Sequence, residues 1–166
     1  SEIKFCIQGE HYSKRKDRII DLDKFNYAIN NNIISYLDYR DVEETINQSK
    51  WIILPSYREG SSRILQESIS MGKPCLASNV AGCNNIIIHN FNGLLFKPRS
   101  SKSIEEIITK SIKLSKIKYN LYSENCLKSA KKFDNNNIIS YYHNEIENFN
   151  MFKNYSAKTK IKMPTN

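Results

Sequence analysis

Several features are missing from this 166-residue chain, and each absence removes a class of function. No apolar stretch approaches the roughly 20 residues that cross a bilayer, and no leader-like segment is recognisable, so the chain reads as soluble or at most peripheral. The four cysteines, Cys6, Cys75, Cys83 and Cys126, include no Cys-x-x-Cys pair and have no histidine nearby at metal-ligand spacing. They read as reduced, mostly packing thiols of a cytosolic protein, with neither a disulfide framework nor a zinc site. His11, His89 and His143 have no partner at catalytic spacing. No internal repeat is present, and the asparagine-rich patches read as compositional bias. The chain starts at Ser1 and enters a strand almost at once, which is expected of a piece of a longer protein. At this length one ordinary domain is expected, able to bury roughly two-thirds of its unfolded surface.

Acidic residues are scarce in one region only. Residues 1–96 hold 11 Lys+Arg and 11 Asp+Glu, so residues 97–166, with 14 basic and 6 acidic residues, carry the whole net charge of +8. Such a tail third suits a patch facing anionic lipid headgroups or an acidic partner, and it equally suits solvated lysine-rich helix faces. No aromatic-interleaved basic ribbon accompanies the charge, so nucleic acid is not indicated.

What is present alternates between strand and helix. Short β-branched or apolar runs at Ile3–Ile7, Ile33–Leu37, Trp51–Leu54, Cys75–Ser78 and Gly93–Phe96 predict five strands. Helices are predicted over 19–30, from an N-cap at Asp41 to about Ser49, and over 62–71, where Gly72 and Pro74 stop the run. In the Asp41 helix, Glu44 would complete a capping box. Residues 80–88 read as a Gly-containing turn and a short helix. From Ser103 three helices follow, to about 117, over 119–132 and over 137–152, before a polar basic tail at 153–166 that is expected to fray. The expected fold is α/β: a Rossmann-like, mainly parallel sheet of about five strands with flanking helices, followed by C-terminal helices. Residues 1–152 form the domain on this reading.

The chemistry concentrates where the third strand ends. Pro55 terminates it, and Ser56 to Ser62 form a loop at its carboxyl end, the edge where open α/β sheets bind ligands. Gly60, Ser61 and Ser62 suit a helix N-terminus, whose free N–H groups and positive dipole accept a phosphate. Two carboxylates, Glu59 and Glu67, stand eight residues apart across that start. For Glu67 the plain alternative is an i, i+4 pair with Arg63, and for Glu59 a carboxylate favourable to the helix dipole. Asp21-Leu22-Asp23 has the spacing of a metal-binding Asp-x-Asp, but at a helix start it reads as capping.

Taken together, Leu54-Pro55-Ser56-Tyr57-Arg58-Glu59-Gly60, Gln66-Glu67-Ser68, Met71-Gly72-Lys73-Pro74 and Asn92-Gly93-Leu94-Leu95 resemble the C-terminal, donor-binding domain of glycosyltransferase family 4, which has the GT-B fold. The resemblance covers roughly residues 3–150, and Tyr36 to Asp41 looks like the segment after that family's third strand. It implies transfer of a sugar from a nucleotide-sugar donor (a UDP- or GDP-sugar) with retention, and no obligatory metal or other cofactor. It places Glu59 at the donor sugar as the catalytic carboxylate, Glu67 on the ribose hydroxyls, Gly60, Ser61 and Ser62 at the diphosphate, and Tyr39 and Arg40 near the base. The acceptor implied is a glycan or lipid-linked molecule of surface polysaccharide synthesis, at the cytoplasmic side of a bacterial membrane. Relative to the family pattern, Asn85 replaces a glutamate. An earlier strand, helix and Arg/Lys pair, together with the acceptor-binding domain, are expected upstream of Ser1. A non-catalytic nucleotide-sugar-binding or interaction module is the alternative reading, and the Pro-Ser-Tyr-Arg-Glu-Gly entry argues against a sugar-nucleotide epimerase.

Overall fold

The computed structural model describes residues 3–9, 21–37, 41–134, Asn144, Ile146 and Glu147, arranged as two compact units, Ser1–Gln48 and Ser49–Asn166. In the first unit β1 (Phe5–Gln8) pairs in parallel with β2 (Ile34–Leu37), with α1 (Leu22–Asn30) between them and α2 (Val42–Gln48) after them. Asp21 caps α1 by accepting the Lys24 N–H at 3.2 Å, the role expected of the Asp-Leu-Asp segment. Phe25 packs edge-on against Tyr36, with ring centroids 5.8 Å apart, which pins α1 to β2. At α2 the expectation is half met. Asp41 accepts the Glu43 N–H at 2.9 Å, but Glu44 accepts from the Gln48 amide at 3.0 Å, so no capping box forms.

The second unit contains β3 (Ile52–Leu54), α3 (Arg63–Ser70), β4 (Cys75–Ser78), β5 (Gly93–Phe96), α4 (Ser101–Ile112) and α5 (Lys116–Ala130). Its strands pair in parallel in the order β3-β4-β5, with Ile52 opposite Cys75 and Cys75 opposite Gly93. The expected five parallel strands are all present, hydrogen-bonded as a sheet of two and a sheet of three. Side chains alternate across the three-stranded sheet, so each face builds its own core. Cys75 and Ala77 meet Leu65 and Ile69 of α3, Cys83, Ile86 and Ile87 of the β4–β5 connection, and Cys126 of α5. Leu76, Leu94, Phe96 and Tyr122 form the other cluster, covered by Ile104, Ile107 and Ile108 of α4. Burying one such side chain contributes about 1.5–3 kcal/mol.

Two sequence expectations are corrected. Residues 80–88 are a run of turns and contain no helix, because Gly82 takes φ +82° and buried Asn92 supplies the local bonds instead. The Asn92 amide donates to the Ile86 carbonyl at 3.0 Å and accepts the Ile88 N–H at 2.7 Å. The break between the next two helices comes earlier than expected. α4 stops at Ile112, and Ser115 starts α5 by accepting the Lys118 N–H at 3.3 Å. Of the helix expected over 137–152, Asn144, Ile146 and Glu147 are helical; the rest, and the tail at 153–166, lie outside the described residues.

Three of the four thiols pack as read, and Cys6, in β1, is the exception, being exposed. Cys75, Cys83 and Cys126 are buried, and burial pushes the Cys126 thiol up to about 12. His89 has a structural task, accepting the Leu95 N–H on Nδ1 at 2.9 Å. Burial and then Lys110 lower its pKa below 6.5, so its contribution to stability is present above that pH and is lost as the pH falls through the lowered value.

Gly93 is the tightest point of the sheet. A Cβ there would lie on the Cys75 carbonyl and 2.8 Å from the Ile87 Cγ2, whereas one on Gly60 would meet nothing within 4 Å among the described residues. Gly93→Ala is expected to lower the unfolding free energy by about 3 kcal/mol or more, and Gly60→Ala by under about 0.5 kcal/mol, as read by urea denaturation.

Candidate functional site

Because β3, β4 and β5 are parallel, the loops that leave them, 55–62, 79–92 and 97–100, all start from one edge of the sheet. The first two are locked together by backbone contacts. The Ser62 N–H donates to the Gly82 carbonyl at 3.2 Å, and Gly82 lies so close to residues 59 and 60 that a Cβ would sit 2.5 Å from the Glu59 carbonyl oxygen. Only glycine fits there, both for space and for its positive φ.

This joint fixes the start of α3. Ser62 is the N-cap residue and is 3% exposed, yet its hydroxyl makes no capping bond. The helix has no acidic residue in its first turn. Its first intrahelical bond is from the Gln66 N–H to the Ser62 carbonyl, which leaves the first-turn amides of Arg63, Ile64 and Leu65 without a helical acceptor. An unspent hydroxyl, open N–H groups and an uncompensated positive dipole end together form an anion-accepting corner.

The sequence-singled residues gather around it to different degrees. Glu59 is half-buried, and its carboxylate is held by the Ser56 hydroxyl at 2.6 Å. It is also close enough to Cys83 to raise that thiol's pKa, second to burial. Gly60 and Ser61 are exposed on the loop, and the Gln66 amide donates to the Ser61 hydroxyl at 2.8 Å. Glu67, one turn into the helix, pairs with Arg63 at 2.7 Å, the plain alternative that its spacing offered. The Arg63 side chain is 91% exposed, so this pair contributes under about 1 kcal/mol and is readily exchanged for another partner. Tyr39 and Arg40 lie outside the described residues.

Reading the sequence missed three contributors. Ser56 orients Glu59, and Gly82 seats the loop. Arg99, in the loop after β5, stacks over Tyr57 at 5.3 Å and so brings a cation to the same edge. The signal for Arg99 was its place three residues past the end of the Gly93–Phe96 strand. Among the described residues no group of three or more His, Cys, Asp and Glu side chains is placed to hold a metal ion.

A parallel sheet with helices on both faces and an open helix N-terminus at its carboxyl edge is the Rossmann-like architecture found in GT-B glycosyltransferases. The chain superimposes on the UDP complex of HepE from Anabaena with a TM-score of 0.73 at 19% identity, covering 90% of this chain and 41% of that one. It superimposes on the C-terminal domain of the group 1 glycosyl transferase LpcC from Francisella tularensis with a TM-score of 0.58 at 16% identity, over 68% of this chain and 62% of that one. The chain belongs to the family described as glycosyl transferases group 1, whose family model matches residues 1–137. Among curated relatives it is 30% identical over 115 residues to the N,N'-diacetylbacillosaminyl-diphospho-undecaprenol alpha-1,3-N-acetylgalactosaminyltransferase of Campylobacter jejuni. That match spans 69% of this chain and 30% of the relative's length.

The joint, and not the surface ion pair, is expected to hold the site's shape. Gly82→Ala should lower stability by about 2 kcal/mol or more, while Arg63→Ala should change it by no more than about 0.5 kcal/mol, both measured from urea unfolding midpoints.

Proposed function

We propose that this chain is the donor-binding part of a retaining glycosyltransferase of family 4, acting on a nucleotide-sugar and a lipid-linked or glycan acceptor at the cytoplasmic face of a bacterial membrane. The observation that carries the proposal is the open N-terminus of α3, where the hydroxyl of Ser62 makes no capping bond and Glu59 and Glu67 flank the helix start in sequence. Two likenesses support it: HepE was crystallised with UDP, and the name of the Campylobacter relative specifies a diphospho-undecaprenol acceptor. The acceptor-binding half and the Arg/Lys pair that would face the diphosphate are assigned to a segment outside this sequence, in keeping with the 30% of the relative's length that the chain spans.

In the proposed mechanism the donor diphosphate lies on the amides following Gly60, Ser61 and Ser62. Negative charge grows on the diphosphate as the glycosidic bond breaks, so fixed N–H dipoles stabilise the transition state more than the ground state. Glu67 releases Arg63 and accepts both ribose hydroxyls in a charge-assisted contact stronger than a neutral hydrogen bond. Glu59, steadied by Ser56, faces the sugar, holding its hydroxyls or stabilising oxocarbenium character. Tyr39 and Arg40 are assigned to the base. No metal is required for any of these steps.

A thermal-shift titration with UDP, GDP and their sugar conjugates tests this reading. One nucleotide should stabilise the chain by about 2.7 kcal/mol at a hundredfold excess over Kd. Glu67→Ala should abolish that response while leaving the unliganded Tm unchanged. No response to any nucleotide, or a full response in the variant, would favour a non-catalytic module. The isolated chain is expected to show little or no transferase turnover.

A further inference from the structure

The corner where α4 gives way to α5 carries a second surface that donor binding does not use. From Ile107 to Ser123 there is no acidic residue, and Lys110, Lys113, Lys116 and Lys118 are all exposed. Among the described residues none of these four forms an ion pair; Lys110 donates to the Asn90 side-chain oxygen at 2.8 Å. Three apolar side chains stand among them in water: Ile112 is 44% exposed, Ile117 84% and Leu121 50%. α5 turns Tyr122 and Cys126 into the core, so Ile117 and Leu121, one turn apart, form a ridge on its outer side. Tyr119 donates its hydroxyl to the Lys50 carbonyl at 2.8 Å, and the Lys50 ammonium lies 5.3 Å from the Tyr119 ring. A fifth lysine therefore joins from the residues before β3, at the sheet edge opposite Glu59 and the start of α3.

Single exposed isoleucines occur elsewhere on the chain, but here three apolar side chains and four lysines share one corner with no acid between residues 107 and 123. An apolar ridge flanked by lysines, with the exposed Glu124 only at its far end on α5, is complementary to one environment in particular, the headgroup layer of an anionic bilayer. There, apolar side chains enter the acyl boundary while long lysine stems reach back to lipid phosphates.

We propose that this corner is a membrane-docking face, in which Ile112, Ile117 and Leu121 insert shallowly and Lys50, Lys113, Lys116 and Lys118 pair with anionic lipid. The proposal does not depend on donor binding.

Co-sedimentation of the whole chain with vesicles tests it. Binding is expected to vesicles of phosphatidylcholine mixed with phosphatidylglycerol, not to phosphatidylcholine alone, and to weaken with added salt. The triple variant Lys113→Glu, Lys116→Glu, Lys118→Glu should lose about tenfold or more in partitioning. Ile117→Ser with Leu121→Ser should also bind more weakly, at unchanged charge. Both variants should retain the wild-type circular dichroism and the wild-type response to UDP. Absence of vesicle binding would overturn the proposal. So would undiminished binding by both variants, which would assign the contact to the lysines of 153–162, or Ile117-dependent self-association in sedimentation velocity, which would make a second copy the occupant. A wild-type chain that binds vesicles but ignores nucleotides would contradict the donor reading alone.

Discussion

The seat of Gly82 against the carbonyls of Glu59 and Gly60 is the contact on which the rest of the site depends. Three short parallel strands define an edge, but strands alone do not fix loops. Here the loop leaving β4 reaches across to the loop leaving β3, and the Ser62 N–H bonds to Gly82. That bond takes up the amide of the capping residue itself and leaves the next three amides and the Ser62 hydroxyl unspent. The same close approach puts Cys83 beneath Glu59 and buries the turn that carries Ile86 and Ile87 into the core. Core packing and site geometry are therefore coupled through one backbone contact.

On the proposed reading, the site divides its work between rigid and exchangeable parts. The helix start and Glu59 are held from within the fold, by Gly82 and by Ser56. Among the described residues Glu67 is held by an arginine exposed over most of its length, so the chain can give up that pair for little free energy when a diol arrives. Arg99 on Tyr57 sits between these extremes, a cation stacked on a ring that is itself 68% exposed.

Much of this was legible in the residues. The strands at Cys75–Ser78 and Gly93–Phe96 were readable to the residue because apolar runs bounded by Gly72, Pro74 and Pro98 leave little choice of register. The Asp21 cap followed from local hydrogen-bonding chemistry, and α3 starts after Ser62 as its residues suggested, although the Ser62 hydroxyl makes no capping bond there. What failed was non-local or competitive. The turns at 80–88 resemble a helix in apolar spacing, but Gly82 and the buried Asn92 amide, six residues from one of its partners, override that pattern. Glu44 had two acceptable partners and took the side chain of Gln48 over the backbone. The closeness of Gly82 to Glu59, and of Arg99 to Tyr57, depends on strand order and could not be read from spacing along the chain.

The central claim is that the start of α3 receives the donor diphosphate, and amide-resolved NMR during titration with UDP tests it directly. The account predicts that the largest shift changes fall on Gly60 to Leu65 and on Gly82, with saturation that is lost in Glu67→Ala. Changes centred on the α4–α5 corner, or uniform small changes with no saturation, would contradict it.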